Sequence, residues 1–199
     1  MNGNGRVRRA GPAEASLLAG ILAEGFMEDP VSRWLFPDAG ERASRHPAFF
    51  RVFVDHAIAH GTAHLTADGE AAALWLDIDP EGSPPPEIPE ELFAAACGPN
   101  LPRFRALGTL MQASHPHAPG HAYLPFVAVR PQRQGRGIGA ALLRHRLAAL
   151  DAAGTPAYLE ASSVRSRRLY DRIGFTRLPT RIELPDGPDM YPMWRAPRR

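Results

Sequence analysis

The sequence predicts one domain of the α/β (α+β) class, in which about seven strands form a sheet flanked by helices. Three observations carry the prediction. Asp68-Gly69 stands between two β-patterned runs, Gly61–Thr66 and Glu70–Ile78, as a favoured hairpin turn that makes them antiparallel neighbours. From Tyr123 onward, strand-like and helix-like apolar spacing alternate in a β-α-β-α succession through Ile173. Two further strand-patterned runs, Phe175–Leu184 and Met190–Trp194, close the chain around the turn Pro185-Asp186-Gly187-Pro188. With 199 residues, 44% of them hydrophobic, there is enough chain for one sizeable core.

The elements follow in order. Arg6–Ala10 reads as a short edge strand and Pro12–Phe26 as a helix, with Leu17, Leu18, Ile21, Leu22 and Phe26 at helical spacing. Pro30 and Pro37 interrupt the pattern, so Met27–Asp38 is expected to be a loop presenting Trp34 and Phe36. Arg42–His60 is a second helix, with Phe49, Phe50, Phe53, Val54 and Ile58 on one face. After the hairpin, Glu81–Pro89 holds prolines at 84, 85, 86 and 89 and is read as an exposed loop. Glu90–Ala113 is helical but cut at Gly98-Pro99 and Pro102. The sharper half runs as strand Tyr123–Val129, helix Ile138–Ala153, strand Ala157–Ala161 and helix Val164–Ile173.

Composition excludes some roles. Formal net charge is only +2, every non-histidine cation is an arginine, and these are scattered without an RNA- or DNA-binding signature, so no nucleic-acid partner is expected. The longest apolar runs, such as Leu92–Cys97, fall well short of the roughly 20 residues that span a bilayer, and no membrane role is implied. The single cysteine, Cys97, cannot form an internal disulfide and no basic-then-apolar segment opens the chain, which points to the cytoplasm. His115 and His117 lack acidic or cysteine partners at ligand spacing, so they read as loop histidines and no metal is expected.

The most informative stretch is Val127 to Leu142, where an apolar strand passes through Gly135, Gly137 and Gly139 into an apolar-faced helix, with Arg130, Arg133 and Arg136 interspersed. Such a loop brings backbone close to a ligand and points unpaired N–H groups and a helix dipole at an anion, for which a pyrophosphate is the natural guest. A Rossmann dinucleotide site is one alternative, since Gly135-x-Gly137-x-x-Ala140 opens a helix and Glu160 ends the next strand. Against it, Arg130–Gln134 separates strand from glycines, and only 60 residues follow Gly139, too few for a doubly wound sheet. A P-loop fails outright because the chain contains no lysine.

The order Val129-x-Pro131-x-x-Gln134-x-x-Gly137-x-Gly139 resembles the coenzyme A pyrophosphate loop of the GCN5-related N-acetyltransferases (GNAT), and a second block agrees: Leu159-Glu160, then Leu169-Tyr170 and Gly174-Phe175. The likeness runs nearly full length and is greatest to the branch containing puromycin N-acetyltransferase, carried by Gly25-Phe26 through Pro30, Ala73-Leu74-Trp75, Tyr123-Leu124, Leu159 to Ser162, and Glu183 to Pro188. It implies a GNAT fold over 1–199: a single mixed, mostly antiparallel sheet with strands splayed around the glycine loop. Residues 1–120 would form mainly the acceptor side and 121–199 mainly the acetyl-CoA side. It further implies acetyl transfer from acetyl-CoA to a primary amine of a small molecule, antibiotic-like amines included, or of a peptide. A coenzyme A-binding module without catalysis is the alternative from another class. Monomer and homodimer both remain open.

The resemblance also distributes roles. The coenzyme would be held by Val127, Ala128 and Val129 along the strand, by Arg133, Gln134, Gly135, Arg136, Gly137, Ile138, Gly139 and Ala140 at the loop, and by Ser163 where many relatives carry an asparagine. Tyr170 would lie near the sulfur as general acid, and Glu160 is the candidate base, unless one of Arg165, Arg167 or Arg168 pairs with it. His121 shares a strand face with Tyr123 and could line the acceptor site or relay a proton. Phe26, Trp34, Trp75 and Tyr123 are candidates for contacting the acceptor, and Trp34, Phe36 and Trp75 suggest an apolar or aromatic one, although all are also ordinary core residues.

Overall fold

The structure is a computed structural model that describes residues 6–79, 87–117 and 119–198. Most of the proline-rich Glu81–Pro89 segment therefore lies outside the described residues. Val7–Arg9 (β1) pairs antiparallel with Gly61–Thr66 (β2), and β2 with Ala71–Ile78 (β3), so the Asp68-Gly69 hairpin forms as its turn chemistry dictates. His121–Val129 (β4) follows antiparallel to β3, and Ala157–Ala161 (β5) lies parallel to β4. Thr176–Arg177 (β6), Ile182–Glu183 (β7) and Asp189–Arg195 (β8) complete a mixed sheet in the order β1-β2-β3-β4-β5-β8-β6, with β7 on the other half of β8. Only β4 and β5 are parallel among the described residues, which rules out the doubly wound sheet that a Rossmann site requires.

Helices cover both faces. Ala15–Gly25 (α1), Pro30–Leu35 (α2), Ala39–His60 (α3), Glu90–Cys97 (α4) and Leu101–Ser114 (α5) lie on one side; Ile138–Ala153 (α6) packs against β3 and β4 on the other, with Val164–Arg172 (α7) after β5. Alternation along β3 divides the core between them. Ala72 and Leu74 join the cluster around Leu18, Ile21, Phe49, Phe50 and Val54, whereas Ala71, Ala73 and Trp75 join Leu142, Leu143, Leu147 and Leu159. None of the helices among the described residues is long and apolar enough to cross a membrane.

Three expectations require correction. Met27–Asp38 is not a loop throughout: Asp29 caps α2, its Oδ1 accepting from Val31 N at 3.0 Å and Ser32 N at 3.1 Å, and Pro30 takes the first helical position, where its missing N–H costs nothing. The buried Arg42 of α3 clamps the segment at both ends, donating to the carbonyls of Met27 (2.9 Å) and Phe36 (2.6 Å). Phe175–Leu184 is not one strand. It touches β8 twice, as β6 and β7, and Pro179 between them has no N–H to give to a ladder. Pro102 does not break a helix either, because it sits in the first turn of α5; the break comes from a 3-10 turn at Gly98–Asn100.

One irregularity shapes the site. Between Leu74 and Leu76 of β3 the register advances by two residues, while β4 advances by three, from Phe126 to Tyr123. The bulge at Leu124-Pro125 resets the alternation, so Tyr123 before it and Phe126 after it both face the α3 side. β4 and β5 pair only at Ala122–Ala157 and Tyr123–Tyr158, and beyond Tyr123 they part.

Candidate functional site

At the parting of β4 and β5 the chain from Val129 turns through a 3-10 segment, Pro131–Arg133, and the Gln134 side chain closes it by donating Nε2–H to the Val129 carbonyl at 3.1 Å. Gly135 and Gly137 then take φ +76° and +80°, left-handed values that a side chain would strain. Gly137 is the N-cap of α6. Among the described residues, the N–H groups of Gly135, Arg136 and Gly137 donate to no backbone carbonyl, and the first turn of α6 adds its own unpaired donors. Backbone of this kind fits a pyrophosphate. Ile138, Gly139 and Ala140 are buried, and the side chains of Ile138 and Ala140 belong to the core, so these positions offer backbone only. Arg136 is exposed, while Arg133 lies 3.9 Å from both Asp68 and Glu70, and Arg130 is ion-paired with Glu24.

The α1–α5 side encloses a cavity of about 550 Å³. Its walls include seven phenylalanines, Phe26 at the end of α1, Phe49, Phe50 and Phe53 from α3, Phe93 from α4, Phe104 from α5 and Phe126 from β4, out of nine in the chain. Val127, Tyr123, Glu160, Ser162, Tyr170 and Asp29 also line it. Glu160 and Tyr170 are thus brought to one chamber with the strand that leads into the glycine loop.

Glu160 is almost wholly buried, with its side chain 2% exposed, and its Oε1 finds no hydrogen-bond partner within the protein. The expected alternative, pairing with Arg165, Arg167 or Arg168, is not formed. Its ionic neighbour is His115, Nδ1 to Oε1 at 3.7 Å. The His115 ring stands edge-on to Tyr123 and Tyr158, and its Nε2 lies 3.1 Å from Nε2 of His121. The His121 Nδ1–H donates to the Pro119 carbonyl at 2.9 Å, which leaves its Nε2 to accept from His115. Burial lowers the pKa of His121, outweighing that carbonyl and keeping the ring neutral. His115 does lie on a loop, the turn after α5, and from there it links Glu160 to His121, a placement invisible in sequence because a turn of ordinary composition carries it. Tyr123 and Tyr158 are pushed to higher pKa by burial and then by the Glu160 charge, so both hydroxyls stay protonated beside the carboxylate.

Tyr170, on the same cavity, is also buried, its pKa raised by burial and secondarily by Asp29. Asp29 itself was not among the expected residues. Besides capping α2, it hydrogen-bonds through Oδ2 to the Ser162 hydroxyl, and burial raises its pKa against those bonds. The signal for it was present as Asp-Pro, an N-cap before a helix-opening proline.

Ser163, by contrast, spends its hydroxyl on capping α7, accepting from Ser166 N at 3.1 Å; Ser162 is the serine that faces the cavity. Phe26 and Tyr123 line the cavity as expected of acceptor contacts, whereas the two tryptophans do not. Trp34 turns away, donating its indole N–H to the Pro185 carbonyl at 2.9 Å under the Arg103 guanidinium. Trp75 is fully buried on the α6 face, one residue out of phase with Leu74 and Leu76. Among the described residues no group of three His, Cys, Asp or Glu side chains is arranged to hold a metal ion.

The profile of the "Acetyltransferase (GNAT) family" matches residues 87–175, the stretch from α4 through the glycine loop to the end of α7. A curated relative, the mycothiol acetyltransferase of Mycobacterium avium, is 40% identical over 82 residues, which span 36% of this chain and only 26% of that protein. Among solved structures, a Corynebacterium glutamicum protein described as "histone acetyltransferase HPA2 and related acetyltransferase" superposes over 98% of this chain and 97% of its own, with a TM-score of 0.70 and 25% identity. The arylalkylamine N-acetyltransferase 2 of Aedes aegypti shares the fold over 97% and 99% of the two chains, at a TM-score of 0.68 and 12% identity. Residues 87–175 thus match the GNAT acetyltransferase family, and the whole chain shares the fold of a solved protein described as a related acetyltransferase.

Proposed function

We propose that this chain is an acetyl-CoA-dependent N-acetyltransferase that acetylates a primary amine of a small molecule or peptide by direct attack. The observation that carries the reading is the convergence of Glu160, Tyr170 and Val127 on one cavity, Val127 belonging to the strand that runs into the glycine loop. Residues 1–199 act as one domain in this reading, the first 120 shaping mainly the acceptor side and the rest mainly the coenzyme side, in the cytoplasm and as a monomer or homodimer. The resemblance to the branch containing puromycin N-acetyltransferase supports antibiotic-like amines as acceptors.

When bound, acetyl-CoA supplies a thioester whose carbonyl carbon forms a C–N bond with the amine as its C–S bond breaks. The amine must reach it uncharged. Glu160 Oε1, buried and without a partner, accepts the proton of the arriving ammonium, and the row His115–His121 beside it gives that proton a way out toward solvent through the part-exposed His115. Tyr170 keeps its proton at neutral pH, donates it to the departing thiolate sulfur and regains one from the acetylated nitrogen, which sheds its second proton as the C–S bond breaks, leaving neutral thiol and amide. The unpaired donors of Gly135–Gly137 and α6 hold the pyrophosphate, and the edge of β4 freed from β5 orients the pantetheine arm. Positioning of this kind contributes the larger share of rate enhancement.

Calorimetric titration with acetyl-CoA, coenzyme A and NADH in parallel, followed by an amine panel read out as released thiol, tests the proposal. Binding of both coenzyme A species but not NADH, together with turnover of an amine, is the expected result. Binding without turnover on any amine assigns the chain to the non-catalytic coenzyme A modules instead.

A further inference from the structure

Building on the acetyl-transfer reading, we propose that the acceptor is a monoamine with an apolar body of aromatic size, and that the cavity discriminates against amines bearing a second charge of either sign. The charged groups around the cavity are few and mostly committed. Asp29 has both oxygens occupied, Oδ1 by the Val31 and Ser32 N–H groups and Oδ2 by Ser162. Glu87 is exposed to water at the open side. Glu160 Oε1 alone is buried and without a hydrogen-bond partner, so the interior can neutralise one ammonium.

Away from Glu160 the walls are mainly apolar, with Phe53, Phe93, Phe104, Leu107 and Met111 from three helices closing on one space. Rings there already meet edge to face, Phe53 on Phe126 and Phe93 on Phe104, an arrangement that accepts another ring and sets no formal charge against an ion. No arginine lines the cavity among the described residues, so a carboxylate on the acceptor has no guanidinium to meet. His56, the one basic side chain among the described wall residues, has its pKa lowered by burial and by His60, and stays neutral. A second ammonium or a carboxylate would enter with its desolvation uncompensated.

The test compares kcat/KM for phenethylamine, diaminobutane and the amino acid phenylalanine, with acetyl-CoA affinity measured in parallel. Phenethylamine should exceed each of the others by at least ~100-fold, the scale on which unpaired buried polar groups reject a ligand. Diaminobutane or phenylalanine turned over as well as phenethylamine overturns the proposal while leaving the transferase reading intact. No acetylation of phenethylamine alongside turnover of another amine of the panel overturns the proposal alone, and no turnover of any amine removes both. A variant locates the effect: Phe93→Asp, at a part-exposed wall position, should raise the diaminobutane-to-phenethylamine ratio about 10-fold or more. An unchanged ratio in a variant with the wild-type Tm overturns the assignment of selectivity to this chamber.

Discussion

Asp151 at the end of α6 ties that helix to β8. Its carboxylate forms a two-pronged pair with Arg195, 2.7 Å at each oxygen, and also accepts from Arg198 N at 2.8 Å. The Arg195 side chain is only 3% exposed, and its other bond is to the Ile173 carbonyl at 3.2 Å. Hydrogen bonding to Arg195 lowers the Asp151 pKa from 3.8 to about 2. That shift alone corresponds to ~2.5 kcal/mol, which water at the part-exposed carboxylate reduces to ~1–2 kcal/mol. Asp151→Asn also leaves the buried guanidinium with neutral partners only, adding ~1 kcal/mol. We therefore expect Asp151→Asn to cost ~2–3 kcal/mol in urea unfolding at pH 7, or ~5–10 °C in Tm. Because the folded pKa is depressed, this stabilisation is fully present above about pH 4 and is lost as pH falls toward 2, so the gap between the two proteins should close over that window. Acetyl-CoA affinity should be unchanged, since the glycine loop sits at the opposite end of the 16-residue α6. A variant within ~0.5 kcal/mol of wild type at pH 7, or a gap that persists undiminished at low pH, would refute the electrostatic account.

Three further outcomes are expected. Glu160→Gln should lower kcat/KM for the amine by ~100-fold or more with the Kd for acetyl-CoA unchanged; retention of most of the rate would remove Glu160 as base. Tyr170→Phe should slow turnover at every pH, without shifting an alkaline limb between pH 7 and the ordinary tyrosine value of 10.0, because the buried hydroxyl is protonated throughout that range; a limb that disappears in the variant would contradict this. Gly137→Ala should weaken acetyl-CoA binding ~10-fold through backbone strain, since an added Cβ at φ +80° meets no atom within 4 Å and steric crowding cannot be the cause; calorimetry measures it, and unaltered affinity would show that the left-handed turn is dispensable.

The elements that could be read from sequence are those set by local chemistry. Asp68-Gly69 dictates a turn whatever surrounds it, and the bounds of α6 follow from apolar spacing between Gly137 and Gly154. The glycine loop belongs with them, since its positive φ values and unpaired N–H groups are properties of the backbone itself. Even α2 was legible in principle, because Asp29-Pro30 is a cap followed by a first-turn proline, although the prolines on either side of Trp34 suggested a loop. Strand parity already separates Trp75 from Leu74 and Leu76, and the structure puts the tryptophan on the α6 side, away from the cavity.

What only the tertiary structure decided is which side chains meet. The bulge at Leu124-Pro125 resets the facing of β4, and nothing in the local sequence says which side of a proline the extra residue will take. Trp34 leaves the acceptor side because a carbonyl 151 positions later, at Pro185, accepts its N–H. His115 joins Glu160, and seven phenylalanines from five elements enclose one space, through contacts between segments whose separation along the chain carries no periodicity. Local backbone preferences are written residue by residue, but the pairing of distant surfaces is a property of the whole packed core, and the walls of the site are made of such pairings.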